Sequence, residues 1–93
     1  MSYALRAGLA ERLRELREDL YGEFGSQFLA DALEIPLETW LNYEAGIVAP
    51  AHVVLKLVVM ARVNPDWLLT GRGEKYIERG KGRERGNVSS ERS

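Results

Sequence analysis

The side chains that carry most enzyme chemistry are nearly absent from this chain. It contains one histidine, His52, and no cysteine. A nucleophile, a base and an orienting group therefore cannot be assembled from the usual residue types, and disulfides and thiolate metal sites are excluded. The glycine-rich segment Gly71-Arg72-Gly73 lacks the ending and the preceding strand of a phosphate-binding loop. The sequence predicts a protein that binds rather than catalyses, with no metal ion, no cofactor and no evident small-molecule substrate.

Charge is distributed unevenly along the 93 residues. The net charge is −1, but residues 20–74 carry three basic and seven acidic side chains, whereas residues 75–93 carry six basic and three acidic ones. No lysine or arginine occurs between Arg17 and Lys56. An acidic body with a basic tail differs from the uniformly basic face that is typical of strong nucleic-acid binders.

The spacing of apolar residues predicts five helices and no strand. Apolar residues recur every three or four positions from Leu9 to Leu20, which predicts a helix over about residues 4–20. Glycine, proline and asparagine then mark the ends of further helices. These helices are expected at about residues 26–34, 37–45, 50–62 and 65–70. The fold class predicted is therefore all-α, a compact five-helix domain over residues 1–76.

The fourth predicted helix is unusually apolar. Val53, Leu57 and their neighbours form its inner face, and Leu55, Val59 and Met60 are additional apolar positions. A helix with so many apolar residues is either central in the core or part of a contact between subunits.

The sequence shows neither a targeting signal nor a membrane span, and it ends in a polar segment. The N-terminus lacks a basic region followed by an unbroken apolar stretch, so we expect no secretion signal. The most apolar run, residues 53–60, is too short to span a bilayer. Together with the absence of cysteine, these features fit a cytoplasmic protein with no membrane partner. Residues 77–93 are rich in Gly, Ser and charge, and are expected to form a flexible basic tail.

The most specific motif of the chain spans the second and third predicted helices. It reads Leu29-Ala30-x-x-Leu33-x-Ile35, then Thr39-Trp40-x-x-Tyr43-Glu44-x-Gly46-x-x-x-Pro50. This motif resembles the XRE family of Cro/repressor-type, lambda-repressor-like helix-turn-helix domains, and residues 63–71 resemble the end of that family's fifth helix. The resemblance covers about residues 9–73. It implies a DNA-binding transcriptional regulator that places its third helix in the major groove of double-stranded DNA, as a symmetric homodimer.

The resemblance also implies which side chains contact base edges. Leu37, Glu38 and Asn42 fall at the positions that the family uses for this purpose. Leu37 suits a thymine methyl group, Glu38 can accept from a cytosine amino group, and Asn42 can pair with adenine.

Contacts to the DNA backbone are implied at other positions. Ser26 and Gln27 resemble the family's phosphate anchors at the start of helix 2, where free N–H groups favour an anion. Thr39 lies between the base-reading and packing faces and suits either role. The basic tail offers further contacts to phosphates, from Arg79, Lys81, Arg83 and Arg85.

Other residues of the motif are expected to pack. The resemblance implies that Glu44 pairs with Arg17, late in helix 1, and does not contact DNA. Trp40 and Tyr43 are expected in the core, although Trp40 could also stack on a base. Helix 5 and the residues Tyr76 and Ile77 are candidates for the dimer contact.

Two departures from the family pattern favour a second interpretation. Glu34 stands in the turn where the family usually carries glycine, so a left-handed conformation there would cost about 1 kcal/mol and bring a carboxylate towards the DNA backbone. The loop of residues 47–49 carries no lysine or arginine. The alternative function is a protein-interaction or assembly module on a helix-turn-helix scaffold that has lost DNA binding.

Overall fold

The computed structural model describes residues 3–77, with side chains described from residue 7 onwards. Within this part the fold consists of five helices: α1 (Tyr3–Tyr21), α2 (Ser26–Leu33), α3 (Leu37–Glu44), α4 (Ala51–Ala61) and α5 (Pro65–Thr70). Extended pairing in the described range is limited to one isolated bridge between Val63 and Tyr76. The predicted all-α class is confirmed. The four tail residues predicted to contact DNA lie outside the described residues.

The helix ends follow the residues that favour them. Gly22 adopts a φ of +88° immediately after α1, a conformation that glycine tolerates without steric cost. Pro36 and Pro50 have ψ angles of 148° and 153°, so each precedes its helix as an extended residue. Helix α4 therefore begins at Ala51, one residue later than predicted. Asn64 caps α5 by accepting a hydrogen bond from the Asp66 N–H at 3.0 Å.

The core lies where α1 and α2 meet the other helices. Helix α1 packs against α2, α3 and α5, and α2 packs against α3 and α4. Ala30 is fully buried in α2, where a larger side chain would hold the neighbouring helices apart. The most deeply buried large side chains come from all of these helices and the α4–α5 connection: Leu13, Leu16, Leu29, Trp40, Leu57, Val63 and Leu68.

Helix α4 has one buried side only. Val53 and Leu57 face the core, whereas Leu55 and Val59 are 62% and 78% exposed. The first alternative for this helix, a position central in the core, is therefore wrong. The exposed side leaves the second alternative, a contact between subunits.

The segment after α5 returns to α1 and closes the fold. The Lys75 ammonium group contacts the carboxylates of Glu15 and Asp19, and the Tyr76 hydroxyl donates to Asp19 at 2.9 Å. The hydrogen bond from Lys75 lowers the pKa of Asp19, and burial followed by the bond to Asp19 raises the pKa of Tyr76 to about 12. Tyr76 is thus half-buried and engaged within its own domain, and its expected role in a dimer contact stays a prediction. Ile77 remains exposed.

Candidate nucleic-acid interface

Helix α3 has one anchored side and one open side. Trp40, Tyr43 and Glu44 are buried, while Glu38, Leu41 and Asn42 are exposed. These three exposed residues share one face because positions three and four apart on a helix are neighbours. Leu37 and Thr39 are half-buried and lie at the two margins of this face. We call the five residues 37, 38, 39, 41 and 42 the α3 outer face.

The sequence motif did not identify Leu41, which lies between Leu37 and Glu38 on the α3 outer face with 44% of its surface exposed. Its spacing of three from Glu38 was the available signal. The other positions predicted to contact bases, Glu38, Asn42 and partly Leu37, are brought together on this same face. A ligand that spans Leu37 and Glu38 also covers Leu41.

A buried ion pair holds α3 against α1. The Arg17 Nε and Nη2 atoms donate to the two carboxylate oxygens of Glu44, at 3.0 and 2.9 Å, and the Trp40 indole N–H donates to the same carboxylate. Arg17 also donates to the backbone carbonyls of Gly22 and Glu23. The hydrogen bond to Glu44 is the main reason that the pKa of Arg17 is raised. The pair implied by the family resemblance is therefore present, and it fixes α3 together with the α1–α2 turn.

The connection between α2 and α3 is three residues long and contains a left-handed glutamate. Glu34 has φ 62° and ψ 43°, and the N–H groups of Glu34 and Ile35 donate to the carbonyls of Asp31 and Ala30. Lys56 of α4 lies 3.4 Å from the Glu34 carboxylate and donates to the Leu33 carbonyl. Lys56 thus complements the negative end of α2. It is engaged in the fold and is not free for a phosphate.

The start of α2 offers backbone N–H groups more readily than side chains. Gly25 precedes the helix without a side-chain cap, and a Cβ atom at this position would clash with Tyr21. The first N–H groups of a helix lack partners within it, so those at Ser26 and Gln27 are open to an anion. The Gln27 side chain, however, donates to Asp31 at 2.8 Å. A phosphate contact from that amide would have to break this bond.

Most described cations are committed to contacts inside the fold. Arg12 donates to the carbonyls of Leu68 and Leu69, and Arg17, Lys56 and Lys75 are held by the contacts given above. Exposed carboxylates lie on and beside α2 and α3, at Glu23, Asp31, Glu34 and Glu38. In the described part of the chain, the exposed charged side chains of α2, α3 and the segments that flank them, residues 22–47, are therefore all acidic.

Three aromatic side chains form an exposed surface at the junction of α1 and α2. Phe24 and Phe28 are 88% and 63% exposed, and the Phe28 ring stacks on Tyr21 with 6.2 Å between centroids. We call Tyr21, Phe24 and Phe28 the aromatic corner. Successive helical residues are turned by 100°, which places Phe28 nearly opposite Ala30 and away from the core.

Comparison of the chain with protein-family models, with curated proteins and with solved structures finds no match. The described helices include none that is long and apolar enough to cross a membrane. Residues 3–77 also hold no group of histidine and carboxylate side chains that could bind a metal ion. The class of site defined by the fold is thus a short helix, anchored on one side and open on the other, beside the exposed N-terminus of a second helix.

Proposed function

We propose that this protein is a sequence-specific DNA-binding transcriptional regulator that places α3 in the major groove. The observation that carries the proposal is the division of α3 into an anchored face and an open face. A helix that reads bases must present its side chains in fixed positions, and Glu44 with Trp40 supplies that fixation. Both the spacing of α2 and α3 and their residue pattern resemble the XRE family.

The proposed roles follow the chemistry of the exposed side chains. Asn42 pairs with an adenine, Glu38 accepts from a cytosine amino group, and Leu37 contacts a thymine methyl group. Leu41, between Leu37 and Glu38 on the same face, adds an apolar contact of the same kind as Leu37. Thr39 lies at the margin nearest the packed face and suits a phosphate.

Register on the DNA is proposed to come from the start of α2. The open N–H groups at Ser26 and Gln27, with the positive end of the helix dipole, favour a phosphate. Because the described body has few free cations, the basic residues of the tail would supply additional phosphate contacts. We propose action as a homodimer in the cytoplasm, with two copies of α3 about 34 Å apart on a palindromic site.

Selection of binding sites from a random DNA duplex pool, using the full chain, tests this function. We expect enrichment of a palindrome. On the enriched site, Asn42→Ala should lose about 1–3 kcal/mol of binding free energy and relax the preference at one base position. Asn87→Ala makes the same chemical change in the tail and should leave the base preference unchanged. If no DNA sequence is enriched and the protein retains no duplex DNA even at low salt, the DNA-binding proposal is rejected.

A second function is favoured by the aromatic corner and the acidic side chains around it. A protein-interaction or assembly module would use exposed aromatic rings, which are enriched at protein interfaces, and would gain nothing from positive charge. Under this alternative, substitutions on the α3 outer face or at Phe24 weaken a protein complex. The same substitutions should leave the amount of DNA bound by the protein unchanged, and this difference separates the two functions.

A further inference from the structure

The exposed side of α4 carries a continuous row of apolar residues. Ala51, Leu55 and Val59 are spaced four residues apart and are all exposed, so they line one face of the helix. Leu55 and Val59 expose 62% and 78% of their surface. We call these three residues the α4 stripe. Apolar side chains that are contiguous along a helix mark a surface that gains free energy when it is covered.

A groove lies directly beside the α4 stripe. It has a volume of about 320 Å³ and is lined almost entirely by apolar atoms of Leu9, Ala49, Ala51, Val54, Leu55 and Leu69. Leu69 of α5 is 43% exposed at this groove. The surface therefore combines a ridge, formed by Leu55 and Val59, with a hollow next to it.

Of the basic side chains near this surface, Lys56 and Arg12 point elsewhere, whereas the exposed His52 and Arg62 lie at the two ends of the α4 stripe. Lys56 reaches towards α2, where it contacts Glu34 and the Leu33 carbonyl. Arg12 donates to the α5 carbonyls. The three residues of the α4 stripe carry no charge, so the centre of this face meets no like-charge repulsion from a second copy, whereas the acidic surroundings of the aromatic corner would repel their own copy.

We propose that the α4 stripe and its groove form the interface between two copies of this chain. In a two-fold contact the same patch faces itself, so each surface must carry both the protruding and the receiving element. The ridge beside a groove meets this requirement, because Leu55 of each copy can enter the groove of the other. This assignment places the dimer contact on α4 and Leu69, and leaves Tyr76 within its own domain.

Other occupants fit this surface less well. Residues 78–93 contain Val88 as their one large apolar side chain, so the tail offers little to fill an apolar groove. DNA offers phosphates, for which the apolar side chains of the stripe and groove have no partner. Because a standard stable interface buries about 800 Å² on each partner and α4 has 11 residues, we expect a reversible dimer with a dissociation constant on the order of micromolar.

Sedimentation equilibrium of the full chain without DNA tests the interface. We expect a monomer–dimer equilibrium for the natural chain, and at least a tenfold weaker dimer for Leu55→Glu, because two carboxylates would be forced into the apolar contact. Val59→Glu is an independent second variant, with thermal melting to verify that each variant is folded. Phe28→Glu is the matched control, since Phe28 at 63% is as exposed as Leu55 at 62%.

The outcomes decide the proposal. Loss of the dimer in Leu55→Glu and Val59→Glu but not in Phe28→Glu supports it. A chain that stays monomeric at every concentration, a dimer that survives both α4 variants, or a dimer that is lost only in Phe28→Glu overturns it. The role of the dimer on a palindromic site rests on the proposed DNA-binding function. The interface proposal and the DNA-binding proposal can nevertheless be rejected independently. A monomer that still selects a DNA site contradicts only the interface, and a dimer that retains no DNA contradicts only the function.

Discussion

At the scale of single residues, Glu44 is the side chain on which the geometry of α3 depends most. Its carboxylate is buried, and such a charge is stable only when its hydrogen-bonding capacity is used. Arg17 and Trp40 together donate three hydrogen bonds to it. Glu44 therefore links the candidate interface to α1 without itself reaching the open face.

We predict that Glu44→Gln lowers the free energy of unfolding by about 3–5 kcal/mol, because Arg17 would remain buried without its counter-charge. Urea denaturation followed by tryptophan fluorescence measures the change. Glu38→Gln makes the same substitution on the exposed face of the same helix, and should stay within about 0.5 kcal/mol of the natural chain. Equal effects of the two substitutions would show that the buried pair contributes no more than a surface charge.

At the scale of elements, the α2–α3 connection combines an unfavourable backbone with a favourable ion pair. The left-handed conformation of Glu34 costs roughly 1–2 kcal/mol relative to glycine. Its exposed contact with Lys56 returns only about 0.2–1 kcal/mol. The connection is therefore a position where the chain retains some strain.

We predict that Glu34→Gly stabilises the protein by about 0.5–1 kcal/mol, whereas Glu34→Ala is neutral or destabilising because alanine keeps the strain and loses the ion pair. Both variants remove the same carboxylate from the side that carries the α3 outer face. If DNA is the ligand, both should therefore bind it more tightly and to a similar degree. A gain in DNA affinity confined to Glu34→Gly would attribute it to the backbone conformation and not to charge.

The elements differ in how far their sequence determines their placement. Helix ends were predictable because Pro36 and Asn64 favour the start of a helix, and because Gly22 adopts the positive φ of a helix end without steric cost. The inner face of α4 was also predicted, from the spacing of four between Val53 and Leu57. The exposure of Leu55 and Val59 was not, since apolar residues occupy almost every position of the helix. The contact between Lys56 and Glu34 was also hidden, because it joins residues far apart in sequence through the packing of α4 on α2. The motif located Asn42 because its position within α3 follows from local spacing. The aromatic corner was not located, because it forms only where α1 and α2 pack together.

At the scale of the whole molecule, the distribution of charge opposes the proposed function in the body and supports it in the tail. The described body presents Glu23, Asp31 and Glu38 near α3, and most of its cations are held internally. DNA affinity depends largely on the number of phosphates that a protein neutralises. Association with DNA would therefore draw on the few exposed arginines of the body, on basic residues outside the described range, or on a second copy of the chain, and the proposed dimer doubles every contact.

Neutralising the tail measures its share directly. We predict that the fourfold variant Arg79→Gln, Lys81→Gln, Arg83→Gln and Arg85→Gln binds the selected DNA site more weakly. The slope of log K against log salt concentration should become shallower by roughly 0.9 for each phosphate contact that is lost. The base preference should be retained, because contacts to phosphates carry no sequence information. Fluorescence anisotropy at several salt concentrations provides the slope.

The control for this experiment removes basic residues from the folded body. Arg62→Gln with Arg72→Gln changes two exposed cations that follow α4 and α5, and should leave the slope nearly unchanged. If the fourfold tail variant also keeps the natural slope, the tail makes no phosphate contacts, and an acidic body would have to bind DNA through backbone N–H groups and neutral side chains alone. Such contacts release few counterions, so the affinity of the natural chain would then vary little with salt. A steep slope that survives in the tail variant would instead locate the phosphate contacts in the α1 arginines, of which Arg14 is half-exposed.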